Sequence, residues 1–513
     1  MKKIILTGEA LTLSELKTFL TEKVQVEIAP SVTKKLYDVR KFVEEKAASN
    51  VAHYGINTGF GRLASKKIPQ HELELLQRNI ILSHAVGVGE PMPLELSRLM
   101  MLLRAHVLAQ GYSGICAETL QLLVALLNHD ITPVIPCQGS VGASGDLAPL
   151  AHIGLTLIGE GEVFFQGKKV AASKALQTAA LQPITLKAKE GLALVNGTQA
   201  ILAYAVAAVL KAENLLKSSD VIGALAVEGD LASISPFDER IHQLRPHPGQ
   251  IATAKNIRTL LANSEIVAGH VNCHRVQDPY SFRCIPQVHG ACKDAYRYVR
   301  QVVECELASC TDNPLLFPED DAILSGGNFH GEPVAMAMDM LAIALAELAS
   351  ISERRVAILI APLDQELPTS FLVPNSGLNS GMMIPHVVMS ALVSENKTLC
   401  HPASVDSIPT SGGQEDHVSM GTWAARKALQ VAQNVEKVLG IELLCAAQAI
   451  DMHPEQHHAG KGTKPVYQAV RNVAPAITGD RAFYVDMSNC IDLLVSGAVV
   501  KTAETALGQA LEL

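Results

Sequence analysis

Four long stretches of this 513-residue chain repeat apolar residues at i, i+3, i+4 and i+7: Ile201 to Lys217, Val288 to Cys310, Pro333 to Ile360 and Glu415 to Ile450. Several exceed the usual length of a globular helix, and many are apolar nearly all round. Such helices bury their flanks against one another or against another subunit. The expected fold is therefore mainly α, with a long central helix bundle. Residues 1–200 are expected to form a mixed, mostly helical N-terminal portion. Residues 201–513 are expected to form the long-helix bundle and a C-terminal helical region.

The N-terminal portion carries different signals. Lys3 to Leu6 and Val24 to Ile28 read as short strands around a helix that opens at Thr12-Leu13-Ser14-Glu15, a capping-box pattern. Glu162 to Val170 alternates around Gly167 as a hairpin would, and Pro93 to Asn128 is helical with interruptions near Gly111 and Gly114. Lys plus Arg is 42 against Asp plus Glu 51, a net charge of −9. That balance argues against the basic surface that nucleic acid or anionic lipid would need. Apolar residues are 48% and aromatic residues 4%, a composition too apolar for disorder. The apolar stretch Val334 to Ala361 is broken by Asp339, Glu347, Glu353, Arg354 and Arg355. The run after Lys2 and Lys3 is too short for a signal peptide. A soluble, cytoplasmic chain is the expectation. Its 10 cysteines are scattered without a C-x-x-C, as buried free thiols rather than a disulfide or zinc framework.

The most unusual segment is Gly139-Ser140-Val141-Gly142-Ala143-Ser144-Gly145-Asp146, approached through Pro133 and Pro136 and followed by Pro149. Composition alone favours a flexible turn between helices. A sharper reading concerns Ala143-Ser144-Gly145. In a tight turn the Gly145 nitrogen attacks the Ala143 carbonyl carbon, a water is lost, and dehydration of Ser144 leaves an exocyclic methylene on a five-membered ring. The small residues at 143 and 145 minimise crowding in that closure, and stored backbone strain would favour it. A serine-hydrolase elbow needs glycine at the fifth position, where Asp146 stands. His453, His457 and His458 resemble a metal cluster, but the acid sits one place late for H-E-x-x-H, so an exposed polar turn is the better expectation. Gly55 to Gly61 and Gly87 to Gly89 complete no dinucleotide fingerprint. Arg275 to Arg283 reads as a solvated loop or as a carboxylate-binding arginine fork.

Taken in order, Tyr54 to Gly61, Leu82-Ser83-His84-Ala85, Gly142 to Leu150, Leu194 to Gln199, Arg275 to His289, Thr311 to Pro314, Ser325 to His330 and Gln414 to Met420 resemble the aromatic amino-acid ammonia-lyases that carry a methylidene-imidazolone (MIO) group. The likeness runs over essentially the whole chain. It implies an MIO built from Ala143, Ser144 and Gly145, with no metal and no diffusible cofactor. It implies that Tyr54 removes the β-proton, Tyr280 assists near the group, Gln277 hydrogen-bonds around it and Phe329 packs beside it. Asn196 and Arg283 would hold the substrate α-carboxylate. His84 and Glu415 stand where phenylalanine-specific relatives carry Leu and Gln. They would satisfy both nitrogens of an imidazole, and a phenyl ring would leave them unpaired at about 1–3 kcal/mol per group. The resemblance thus implies non-oxidative deamination of L-histidine to trans-urocanate and ammonia, the first step of histidine breakdown. It also implies a homotetramer whose active sites borrow residues from several subunits. A tyrosine ammonia-lyase, a 2,3-aminomutase and a catalytically silent helical scaffold are the alternatives. One departure is that Ser411-Gly412-Gly413 precedes Gln414, where many histidine-acting relatives read Ser-Ala-Asn or similar.

Overall fold

The computed structural model describes residues 2–270, 275–361, 370–453 and 457–513. The fold is mainly α, 61% helical with twenty α-helices among the described residues and only short strands. The chain divides into two compact units, each drawn from three stretches of sequence. The first comprises Met1–Ala207, Gln301–Asp339 and Pro402–Arg426, and the second Ala208–Arg300, Met340–His401 and Lys427–Leu513.

In the first unit, strand Lys2–Leu6 pairs in parallel with Val24–Ile28 across helix Leu13–Thr21. That helix starts where the sequence says it should. The Glu15 amide donates to Thr12 Oγ1 at 3.2 Å, and the Thr12 amide donates back to Glu15 Oε2 at 2.8 Å. Helices Leu94–Ala109 and Ala117–Asn128 are separated at Gly111 and Gly114, both with positive φ. A hairpin of Glu162–Phe165 and Lys168–Ala171 adds the short strand Thr132–Pro133. Val39, Phe42, Val43, Ile56, Leu73, Ala188 and Leu316 form an apolar cluster under the loop that carries Tyr54. Ile56, two residues after Tyr54, anchors that loop in the cluster.

The second unit is almost wholly helical and contains a buried polar network. Asp220 accepts from Lys293 Nζ at 2.6 Å and from His289 Nδ1 at 3.0 Å. Arg355 Nη1 faces His289 Nε2 at 3.2 Å, and a guanidinium only donates, so Nε2 accepts and Nδ1 carries the proton. Burial alone would raise the Asp220 carboxyl. The Lys293 ammonium and the His289 bond outweigh burial and hold it below the usual range. Arg355 forms a fork with Glu442, using Nε at 2.5 Å and Nη2 at 3.0 Å, with both side chains fully buried.

Several expectations are corrected. Apolar periodicity predicts a helix from Glu415, but the helix runs Gly421–Asp451. Glu415 is held in a bridge with Thr410, and Met420 at φ 51° breaks any helical path before Gly421. The helix expected over Ile201 to Lys217 extends over Gln199–Gly229. Glu332–Ile360, expected to be too interrupted to cross a bilayer, is long and apolar enough by length and composition, as is Gln199–Gly229. Of their most apolar windows 67% and 78%, respectively, are buried inside the protein, so that apolar surface is spent on packing. The nine described cysteines are free, but Cys305 is exposed rather than buried; Cys273 lies outside the described residues.

Removing Glu442 alone strands a fully buried guanidinium. Glu442→Ala is expected to destabilise the protein by about 3–5 kcal/mol in urea unfolding. The double change Arg355→Met with Glu442→Leu should cost clearly less, because no charge is left unpaired. Equal losses would show that the stranded charge is not what destabilises the single variant.

Candidate active site

The Gly139 to Asp146 segment ends at the start of helix Leu147–Leu157. Its geometry demands glycine at two places. Gly145 has φ +70°, and a Cβ there would lie 2.1 Å from the Gly197 carbonyl oxygen. Gly142 has φ +68°, and a Cβ there would lie 2.2 Å from Ser419 Oγ. Gly145 bridges in parallel to Gly197: the Asp146 amide donates to the Gly197 carbonyl at 2.7 Å, and the Gly197 amide donates to the Ser144 carbonyl at 3.3 Å. The triplet is thus pinned on both sides of Gly145.

Asp146 completes the clamp. It is fully buried, and its carboxylate accepts from the Ile201 amide at 2.8 Å, Thr422 Oγ1 at 2.7 Å and Ser140 Oγ at 2.9 Å. Burial pushes this carboxyl up, and those bonds pull it part of the way back. Sequence reasoning did not assign Asp146 a role. Its place directly after the glycine, at the mouth of a helix, was the available signal.

Ser144 and Ala143 line a cavity of about 400 Å³ together with Tyr54, Asn196, Phe329 and Glu415. Six of the residues singled out from sequence therefore meet in one place, within the first unit. Ser144 Oγ donates to Glu415 Oε1 at 2.8 Å. Thr410 Oγ1 donates to the other carboxylate oxygen, Oε2, at 2.5 Å. The Gly61 amide donates to Tyr54 Oη at 3.3 Å. Asn196 is 3% exposed and its Oδ1 is buried without a hydrogen-bond partner, an unfilled demand at the cavity wall. His330 and His417 also line the cavity, though sequence reasoning gave neither a role. The Glu332 amide faces His330 Nδ1 at 3.3 Å, which makes His330 Nε2 the donor to the His417 carbonyl at 3.1 Å.

Electrostatics separate the titratable groups. Burial raises the Tyr54 hydroxyl above its ordinary value; the Gly61 bond opposes this, and the Glu415 and Asp312 charges add to it. Nothing among these groups makes Tyr54 a ready base. Burial lowers the His84 imidazole, against which its bond to the Ile80 carbonyl and the Glu415 charge pull upward. Ser83 Oγ lies 3.0 Å from His84 Nδ1. A neutral His84 therefore faces neutral pH, electrostatically coupled to Glu415.

Gln277, Tyr280 and Arg283 belong to the second unit. Gln277 borders another cavity there, of about 670 Å³. Tyr280 is 71% exposed, with the Arg283 guanidinium 4.5 Å above its ring. Arg275 is engaged with Asp230 at 2.6 Å. Among the described residues no group of three or more His, Cys, Asp or Glu could hold a metal. His453 Nε2 lies 3.1 Å from the Gly229 carbonyl. Pro454, Glu455 and Gln456, inside the histidine-rich run, lie outside the described residues.

A helical fold presenting a pinned Ala-Ser-Gly turn to a polar cavity defines a class of lyase. The chain belongs to the aromatic amino acid lyase family, whose model matches residues 11–472. A histidine ammonia-lyase of Stigmatella aurantiaca is 50% identical over 504 residues, spanning 98% of each chain. The crystal structure of histidine ammonia-lyase from Trypanosoma cruzi superposes with a TM-score of 0.91 at 44% identity, covering 98% of this chain and 95% of that one. Tyrosine aminomutase from Streptomyces globisporus superposes with a TM-score of 0.93 at 34% identity, covering 99% of this chain and 100% of that one.

Because burial is the dominant influence on His84, its imidazole is expected to titrate below the ordinary 6.5 in a pH series of NMR spectra. The neutral ring should then persist as pH falls through 6.5. Glu415→Gln removes the charge that pulls the ring upward, so the midpoint should fall further. A midpoint that rises in that variant would separate the two residues.

Proposed function

We propose that this chain removes ammonia non-oxidatively from L-histidine, releasing trans-urocanate, as the first step of histidine degradation. The observation that carries the reading is Glu415: its carboxylate meets Ser144 in the cavity that Tyr54 also lines, and its charge bears on His84, which sits outside that lining. A carboxylate acceptor and a neutral imidazole match the donor and acceptor of a substrate imidazole. A phenyl or phenol ring leaves at least one of them unpaired. The identity to curated histidine ammonia-lyases supports the same substrate.

The prosthetic group would be the MIO formed by Ala143, Ser144 and Gly145. The residues present fit it: position 145 admits no side chain, Ala143 is buried, and Ser144 reaches the cavity. Once formed, the group supplies an electrophilic carbon that makes the substrate amine a leaving group. The other roles fall to side chains. Asn196, with its unsatisfied Oδ1, stands at the cavity wall to hold the amino-acid end of the substrate. Phe329, which lines the cavity, would pack beside the group. Tyr54 Oη takes the β-proton; burial raises its hydroxyl above the ordinary value, so a positive charge brought close to it would help it act as a base. Arg283, stacked on an exposed Tyr280, is suited to bring such a charge and to bind carboxylate, and Gln277 would hydrogen-bond beside them. These three are supplied in a homotetramer with shared sites. On this reading the enzyme works in the cytoplasm and calls on no metal, nucleic acid or membrane partner.

The likeness to tyrosine aminomutase favours one competing reading, in which the amine is returned to the β-carbon of tyrosine. Purified protein incubated separately with L-histidine, L-tyrosine and L-phenylalanine distinguishes them by ultraviolet absorbance and amino-acid analysis. Urocanate from histidine alone is expected; β-tyrosine or coumarate would overturn the substrate assignment. Ser144→Ala should abolish turnover and also remove a mass deficit of two waters from the intact chain. Gly145→Ala should do likewise, since its Cβ has nowhere to go. Full turnover in Ser144→Ala would refute the prosthetic group.

A further inference from the structure

Glu415 bonds the hydroxyl of the very serine whose oxygen must leave before any substrate can react. Glu415 is held through both its side chain and its backbone. Thr410 Oγ1 donates to Oε2 at 2.5 Å, the Thr410 amide donates to the Glu415 carbonyl at 2.9 Å, and the Glu415 amide donates to the Thr410 carbonyl at 3.4 Å. The turn between them is forced by positive φ at Ser411, Gly412 and Gly413, of 51°, 66° and 86°. Arg62 Nη1 ties the turn down through the Gly412 carbonyl at 2.9 Å. One oxygen of Glu415 is thus committed to Thr410. The other, Oε1, faces Ser144 Oγ at 2.8 Å.

We propose that Glu415, clamped by Thr410, is a maturation residue that aims the Ser144 hydroxyl for its departure as water and only afterwards turns the same oxygen to the substrate ring. The inference rests on the reading above that Ala143-Ser144-Gly145 becomes an MIO. A free serine hydroxyl samples three staggered χ1 positions. Elimination needs the Cβ–Oγ bond aligned with the Cα–H bond, so a fixed acceptor that selects one rotamer speeds it.

The step balances without an oxidant. After ring closure has released the first water, the Ser144 Cα–H bond breaks and its electron pair becomes the second bond of Cα=Cβ. The Cβ–Oγ bond breaks with its pair remaining on oxygen. The proton lost from Cα ends on that oxygen, which leaves as the second water. Glu415 is unchanged at the end, and Oε1 has lost its partner. The placement then has a second consequence: the acceptor that reads an imidazole N–H is occupied until the electrophile exists, and is free once it does. Thr410 acts through Glu415 and is a positioning residue.

The test weighs the intact full-length chain at intervals during cell-free synthesis, so that species lacking no, one or two waters are counted directly. In Glu415→Ala the one-water species should accumulate, with loss of the second water slowed about tenfold or more, the effect of losing one charge-assisted hydrogen bond. Glu415→Gln keeps an amide oxygen as acceptor and should track the unmodified sequence within a few-fold. Thr410→Val should be slowed, and Thr410→Ser should restore the rate, a rescue that a purely structural role would not predict. If Glu415→Ala does not fold, the Thr410 pair carries the comparison. Passage from one to two waters at the unmodified rate in Glu415→Ala or Thr410→Val would overturn the inference, as would arrest before the first water. No water loss in the unmodified chain would instead sink the underlying reading.

Discussion

Gly145 lies so close to Gly197 that it tolerates no Cβ, and the catalytic side of the first unit depends on that contact. At 197 a Cβ would meet Arg104 Nη1 and Gln199 Oε1, each at 2.5 Å, so the crowding is on both faces. The bridge uses the Ser144 carbonyl and the Asp146 amide, leaving the Ser144 side chain to point into the cavity. Asp146 reinforces it through the first turn of Gln199–Gly229, where the Ile201 amide would otherwise lack a partner. Strain concentrated in a loop persists only where rigid neighbours over-determine it. Here those neighbours are a helix start, a helix end and a buried carboxylate.

The same unit shows how burial assigns chemical roles. Glu415 touches Ser144 and Thr410 directly, and its charge bears on both Tyr54 and His84. Burial makes His84 a neutral ring and Tyr54 a reluctant acid, so neither residue is self-sufficient. A site of this kind is tuned by whatever charge or ligand is brought to it. The second unit follows the opposite design. Its buried Asp220, His289, Lys293, Arg355 and Glu442 are each hydrogen-bonded within a buried network.

Much was legible without coordinates. The Thr12-Glu15 capping box, the Glu162 to Val170 hairpin and the break at Gly111 and Gly114 depend on a few adjacent residues, and local rules suffice for them. The helix expected from Glu415 failed for a reason the periodicity does not contain. A bridge to Thr410 and a positive φ at Met420 commit the backbone elsewhere until Gly421. Thr410 had no role that sequence could assign, since its role exists only because the turn folds its hydroxyl onto a carboxylate five residues later. The motifs holding Tyr54, Ser144, Asn196, Phe329 and Glu415 could be recognised individually, but their convergence could not be computed from spacing.

The sequence by itself determined the helical class, the glycines that make the 142 to 145 turn possible and the absence of a side chain at 145 that any cyclisation would require. Those properties are set by single residues and their immediate neighbours, so they survive without a fold. Only the tertiary structure decided that Ser144 meets Glu415 across 271 residues of chain, that Gly197 is the bridge partner of Gly145, and that Asp146 is buried beside them. Contacts at such separation come from packing long helices against one another, and apolar periodicity says that a face is buried without saying what it is buried against.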